Sequence, residues 1–148
     1  MAELDDVYNT KILELAGNIP RSVRLTSPTA TASAQSKLCG SAITVDLVLE
    51  GGRITEYGQT VKACLLGQAS ASVVGAEIVG TTPAEFHQVA RVMSEMLKSG
   101  GPAPTGRWSD LAVLAPVRDY RSRHASTLLV FNAVEKALEM AGAGTAAA

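Results

Sequence analysis

The run from Ile43 to Leu49 alternates cleanly, with Ile43, Val45, Leu47 and Leu49 on one side and Thr44, Asp46 and Val48 on the other, and Gly51-Gly52 follows at once. Strand side chains alternate with a period of two, so this segment reads as a strand with one apolar face. Two successive glycines supply the positive backbone angles of a tight hairpin, which predicts that 53–62 returns antiparallel, with Gly58 as a place for a bulge. Upstream, 29–38 alternates small residues, with Ala30, Ala32 and Ala34 on one side. That is the pattern of an edge strand, and together the three segments predict a meander whose apolar face has to be covered.

The cover is legible as helices. Leu4, Val7, Tyr8, Ile12 and Leu15 recur at the spacing of one helical face, and Gly17 follows as a stop. Asn18-Ile19-Pro20-Arg21 then turns the chain. After Cys64 the pattern Leu65, Leu66, Ala69, Val73, Val74 and Ile78 marks an apolar helix ending at Gly80. Thr82-Pro83-Ala84-Glu85 has the form of a capping box with proline at the first helical position, and Phe86, Val89, Met93 and Leu97 carry that helix inward. A loop over 99–106, a short apolar stretch from Trp108 to Val117 and a last helix over 122–140, with Leu128, Phe131, Val134 and Leu138 on one stripe, complete the chain. The expected architecture is α+β, a three-stranded antiparallel meander with helices packed on one face. It fills one domain over 1–140, and 141–148 reads as a disordered tail.

Charge narrows the function. Thirteen basic and 14 acidic residues leave a net charge of -1 with no basic run, so neither nucleic acid nor a membrane surface is an expected partner. No apolar run approaches the roughly 20 residues of a membrane span, and the acidic N-terminus lacks the basic flank of a secretory signal, which predicts a cytoplasmic protein. In a reducing compartment the two cysteines point to a metal or reactive site rather than to a disulfide.

In a meander the first strand ends, the second begins and the third ends at one edge of the sheet. Cys39 and Ser41 lie at the first junction and Cys64 at the end of the third strand, so topology alone brings the two cysteines together. Cys64 also opens a helix, where unpaired N–H groups favour negative charge on sulfur. His124, flanked by Arg121 and Arg123, starts the last helix; docked at the same edge it would complete a Cys, Cys, His set suited to zinc or an iron-sulfur centre. There is no Cys-x-x-Cys pair, and free cysteines are commonly buried as small hydrophobes. His87 falls on the polar side of its helix and reads as solvated surface.

At these residues the chain resembles the U-type iron-sulfur cluster assembly scaffolds (IscU, the NifU N-terminal domain and SufU), whose fold is of the SufE/NifU type. Asn18-Ile19-Pro20-Arg21 is similar to the family's Asn-Pro-Arg turn with Ile19 inserted, and Cys39-Gly40-Ser41 to its Cys-Gly-Asp junction. Ala63-Cys64 with Gln68-Ala69-Ser70-Ala71-Ser72 resembles the second cysteine and its Ala/Ser-rich helix. The segment 82–110 is similar to the SufU-type insertion, and Arg123-His124-Ala125-Ser126 to the third-cysteine region.

The resemblance implies a scaffold rather than an enzyme. Such a protein holds a transient iron-sulfur cluster, or zinc or iron, at Cys39, Cys64 and His124, takes sulfur from a cysteine desulfurase and serves apo iron-sulfur acceptors. Two departures stand out: the family aspartate is Ser41 here, and the third cysteine is missing. Its place falls on Ser126, on Ala125 or on His124 according to the register chosen, so Ser41 and Ser126 are further candidate ligands. Two other readings follow. One is a regulatory or adaptor paralogue that binds a desulfurase without assembling clusters; the other is a thiol enzyme in which His124 activates Cys64.

Overall fold

The computed structural model describes residues 9–37 and 40–142. Three strands form one antiparallel sheet in sequential order, β1 (Ala30–Ser36), β2 (Ser41–Glu50) and β3 (Arg53–Lys62). Gly51 and Gly52 make the β2–β3 turn at φ 59° and 78°, as their lack of a Cβ allows. Ile43, Val45 and Leu47 are fully buried on the apolar face of β2. Removing such a side chain from water contributes about 1.5–3 kcal/mol, which is what pins the strand register.

The helices are α1 (Thr10–Gly17), α2 (Leu65–Glu77), α3 (Pro83–Ser99), α4 (His124–Thr127) and α5 (Leu129–Met140), with 3₁₀ segments at Gly106–Asp119 and Arg121–Arg123. Helix α5 packs across β1 and β2, while α2 lies against β3 and is flanked by α1. Nearly every residue of α2 from Leu66 to Gly75 is buried, so this helix is central rather than amphipathic. Phe86 of α3 stacks on Phe131 of α5 with ring centroids 5.8 Å apart and meets Trp108 edge-on at 5.9 Å, which closes the core beyond the sheet.

Several expected details change. The leading helix begins at Thr10, because Asn9 is extended and its side chain accepts the Ile12 N–H at 3.0 Å as an N-cap; the part expected over 4–8 lies outside the described residues. Gly58 is not a bulge. It pairs regularly with Asp46, and the irregularity sits between Val48 and Leu49. Gly58 is needed because the 21–26 loop crosses the outer face of the sheet there, so that a Cβ would stand 2.2 Å from the Val23 carbonyl oxygen. Thr82 caps α3, accepting the Glu85 N–H at 3.1 Å, but the Glu85 carboxylate instead accepts from Trp108 Nε1 at 3.2 Å. The last helix is broken at Leu128 and preceded by 3₁₀ turns, so it is not continuous over 122–140. Ala141 and Gly142 form a turn, and the rest of the expected tail lies outside the described residues. His87 is not simply solvated, since its Nδ1 lies 3.1 Å from Glu135 Oε1 and ties α3 to α5.

The outer face of β2 carries a buried acid. Asp46 has no exposed side-chain surface and accepts from Arg24 Nε at 2.6 Å, Thr31 Oγ1 at 2.5 Å and the Leu25 N–H at 3.0 Å. Burial alone would raise the Asp46 pKa, but the bonds from Arg24, Thr31 and Leu25 outweigh it and hold the carboxyl below its usual value. A group depressed in the folded state stabilises above its unfolded pKa of about 3.9, and that contribution is lost as pH falls through the folded value. Unfolding free energy should therefore decline from about pH 4 downward in urea titrations at stepped pH. Asp46→Asn should weaken the protein at neutral pH and flatten that acid limb; an unchanged limb would show that another group drives it. Gly58→Ala should lower the urea midpoint with unchanged slope, a loss of about 2 kcal/mol in unfolding free energy, because the atom in the way is backbone and cannot yield cheaply.

Candidate functional site

The junction residues meet at one end of the sheet. Ser36 of β1 pairs with Ser41 of β2, and Ala42 beside it pairs with Lys62 at the end of β3, so the chain leaving β3 passes directly by Ser41. Cys64 is the N-cap of α2, in extended conformation at φ -66°, ψ 171°. Its backbone N–H donates to Ser41 Oγ at 3.3 Å. Its sulfur makes no capping bond and instead donates to Ser126 Oγ at 3.2 Å. Ser126 in turn donates to the Arg123 carbonyl at 3.2 Å. Ser41 and Ser126 are only 3% and 2% exposed while Cys64 is half-buried, so Cys64 is the least buried residue of the group.

Gly67 sets this spacing. A Cβ there would stand 2.8 Å from the Ala63 Cβ and 3.0 Å from the Ser126 carbonyl oxygen, so glycine lets α2 lie directly on α4. Gly75, two turns on, makes room for the Gln59 carboxamide, which would lie 2.6 Å from a Cβ. Gln59 is fully buried. It donates to the Pro20 carbonyl at 3.2 Å and the Ala71 carbonyl at 2.9 Å, and accepts from the Tyr57 hydroxyl at 3.0 Å. Burial, and secondarily the charge of Asp46, push the Tyr57 pKa up and keep that hydroxyl a donor. Sequence reading missed Gln59, Gly67 and Gly75; the available signal was two glycines inside a helix, which cost stability unless something approaches closely.

His124 is placed differently from Ser126. Two residues apart on a helix, they point about 200° from each other. His124 Nε2 lies 3.1 Å from the Val117 carbonyl oxygen and 3.2 Å from that of Arg118. Carbonyls only accept, which assigns the proton to Nε2 and engages that nitrogen with the 3₁₀ segment. Ala125, another register for the third ligand, is exposed and has no donor atom. Cys39 lies outside the described residues. Among the described residues no three His, Cys, Asp or Glu side chains could hold a metal ion, and around Cys64 the donors are one thiol and two neutral hydroxyls. That set does not make a closed four-coordinate zinc site.

No protein-family model matches the chain. The crystal structure of a nitrogen-fixing NifU-like protein (N-terminal) from Brucella abortus is 47% identical to it, superposes with a TM-score of 0.92, and the match covers 94% of this chain and 96% of that one. The chain belongs to the U-type iron-sulfur scaffold family. The iron-sulfur cluster assembly scaffold protein IscU of Thermotoga maritima is 23% identical over 133 residues, spanning 90% of this chain and 93% of that protein. A candidate scaffold for the SUF system from Fervidobacterium islandicum shares the fold, with a TM-score of 0.83 at 19% identity over 92% of this chain and 99% of that one. Among the described residues, no helix of this U-type protein is long and apolar enough to cross a membrane.

With Ser126 Oγ 3.2 Å from the Cys64 sulfur, a second sulfur at position 126 falls within reach of the same ion. Ser126→Cys should raise the zinc retained through gel filtration at least about tenfold in a chelator competition, because a thiolate replaces a neutral hydroxyl. Retention equal to that of the unsubstituted protein would place residue 126 outside the coordination sphere.

Proposed function

We propose that the protein works in iron-sulfur cluster assembly as a scaffold-type carrier, with Cys64 as its accessible sulfur and Cys39 as the second thiol. Ser41 and Ser126 stand where harder or softer anionic ligands would hold the cargo more tightly. The observation that carries this reading is the convergence of Cys64, Ser41 and Ser126 at one sheet end, with Cys64 the least buried of the three. The engagement of His124 Nε2 with two carbonyls leaves Nδ1 as the nitrogen that could bind a metal, while Ser126 is the residue in direct contact with the Cys64 sulfur, so both stand for the third place. Cargo bound this way, an iron-sulfur cluster or zinc or iron, is held by few anionic donors and exchanges readily.

The partner chemistry follows. A Cys64 thiolate attacks the outer sulfur of a cysteine desulfurase persulfide. The sulfur-sulfur bond in the desulfurase breaks, its cysteine leaves as thiolate, and the sulfane sulfur stays on Cys64 as a persulfide. Apo iron-sulfur proteins would be the acceptors. A second reading is favoured by the same two hydroxyls: a paralogue that keeps the desulfurase-binding surface and regulates or adapts without assembling clusters.

Incubation with a cysteine desulfurase and cysteine, followed by intact mass measurement, separates the two. A carrier should gain sulfur on the unsubstituted chain and on Cys39→Ala and lose most of it on Cys64→Ala, and anaerobic reconstitution with iron should give a visible chromophore that chelator strips quickly. Desulfurase binding without added sulfur or chromophore would leave only the adaptor.

A further inference from the structure

On the far side of the α4 segment from Cys64 lies a groove of about 830 Å³ between α3 and α5, open along its length. Its floor is apolar, formed by the buried side chains of Leu97, Leu128 and Phe131. Its walls are basic. Arg118, Arg121 and His124 come from one side and Lys98 from the other, and no acidic residue lines it among the described residues. Arg118 and Arg121 come from two successive 3₁₀ segments, and His124 opens α4 directly after them.

We propose that this groove docks an acidic amphipathic helix of a partner protein. Charge complementarity selects the occupant: the chain as a whole carries a net charge of -1, yet the charged residues lining this recess, Lys98, Arg118 and Arg121, are all basic. Cations over an apolar floor match a helix with carboxylates along one edge of an apolar stripe. A lone phosphate would leave the floor unfilled, since the volume is that of a site for a far larger ligand. A bilayer surface is flat where this site is concave, and nucleic acid would find no exposed aromatic platform, because Phe131 is buried. The groove is separate from the Cys64 site, so the inference stands or falls independently of cluster chemistry.

Fluorescence anisotropy tests it on the full chain with two labelled peptides about four helical turns long. One carries Glu and Leu at amphipathic spacing, and the other has Lys in place of each Glu. The acidic peptide should bind in the micromolar range, weaken as salt rises, and lose about tenfold or more in affinity against the Arg118→Glu, Arg121→Glu double variant. Both arginines are exposed, and an unchanged thermal midpoint would show that the variant folds. Cys64→Ala should bind the acidic peptide as the unsubstituted chain does. No binding at about millimolar peptide would overturn the proposal. So would equal binding of the two peptides, indifference to the double substitution, dependence on Cys64, or co-sedimentation with phosphatidylserine vesicles by protein that ignores the peptide.

Discussion

The buried carboxamide of Gln59 ties the first turn and α2 to one point of β3, and the position of the candidate site follows from that tie. Its amide group reaches the Pro20 carbonyl of the first turn and the Ala71 carbonyl of α2, and its oxygen takes the Tyr57 hydroxyl. A buried amide is costly unless fully bonded, so any shift of α2 along the sheet would strand a polar group in the core. Arg21 adds a bond from Nε to the Gly75 carbonyl at 2.9 Å, and the Gln59 N–H reaches the Arg21 carbonyl at 3.0 Å. These bonds offset the cost of the left-handed backbone at Arg21, φ 57°, where glycine would be the easy choice. With α2 fixed, the residue that caps its N-terminus has one place to be, and that residue is Cys64.

What gathers around Cys64 decides the chemistry. Ser41 orients the backbone of the N-cap and Ser126 receives the thiol proton, so both hydroxyls are spent on positioning and neither brings a charge. A thiol in that setting can accept and pass on sulfur, but the setting contributes little to gripping a cation. The chain belongs to a family of iron-sulfur scaffolds, and the loose hold on cargo proposed above rests on this donor set.

The short helix α4 serves two faces, because His124 and Ser126 stand two residues apart on it. Ser126 turns toward α2 where Gly67 admits it, while His124 turns toward the 3₁₀ carbonyls and the groove beyond. Arg118 and Arg121 of the preceding 3₁₀ segments line the groove, while Ser126 of α4 meets the Cys64 sulfur.

Much of this was written in periodicity. The alternation of Ile43 to Leu49, the paired glycines at the turn, the Thr82-Pro83 start and the helical stripes are local signals, and local sterics with burial of one face are enough to specify the meander and its covering helices. Strand parity likewise brought Ser41 to Cys64 without any coordinates. Three-dimensional contacts decided the rest. The glycine at 58 answers to a loop carbonyl from Val23, the glycine at 67 to a backbone sixty residues away, and which of His124 and Ser126 meets the Cys64 sulfur turns on which side of one helical turn faces α2. These depend on close approaches between segments distant in sequence, where a side chain's direction is set by packing and hydrogen-bond satisfaction rather than by its neighbours along the chain.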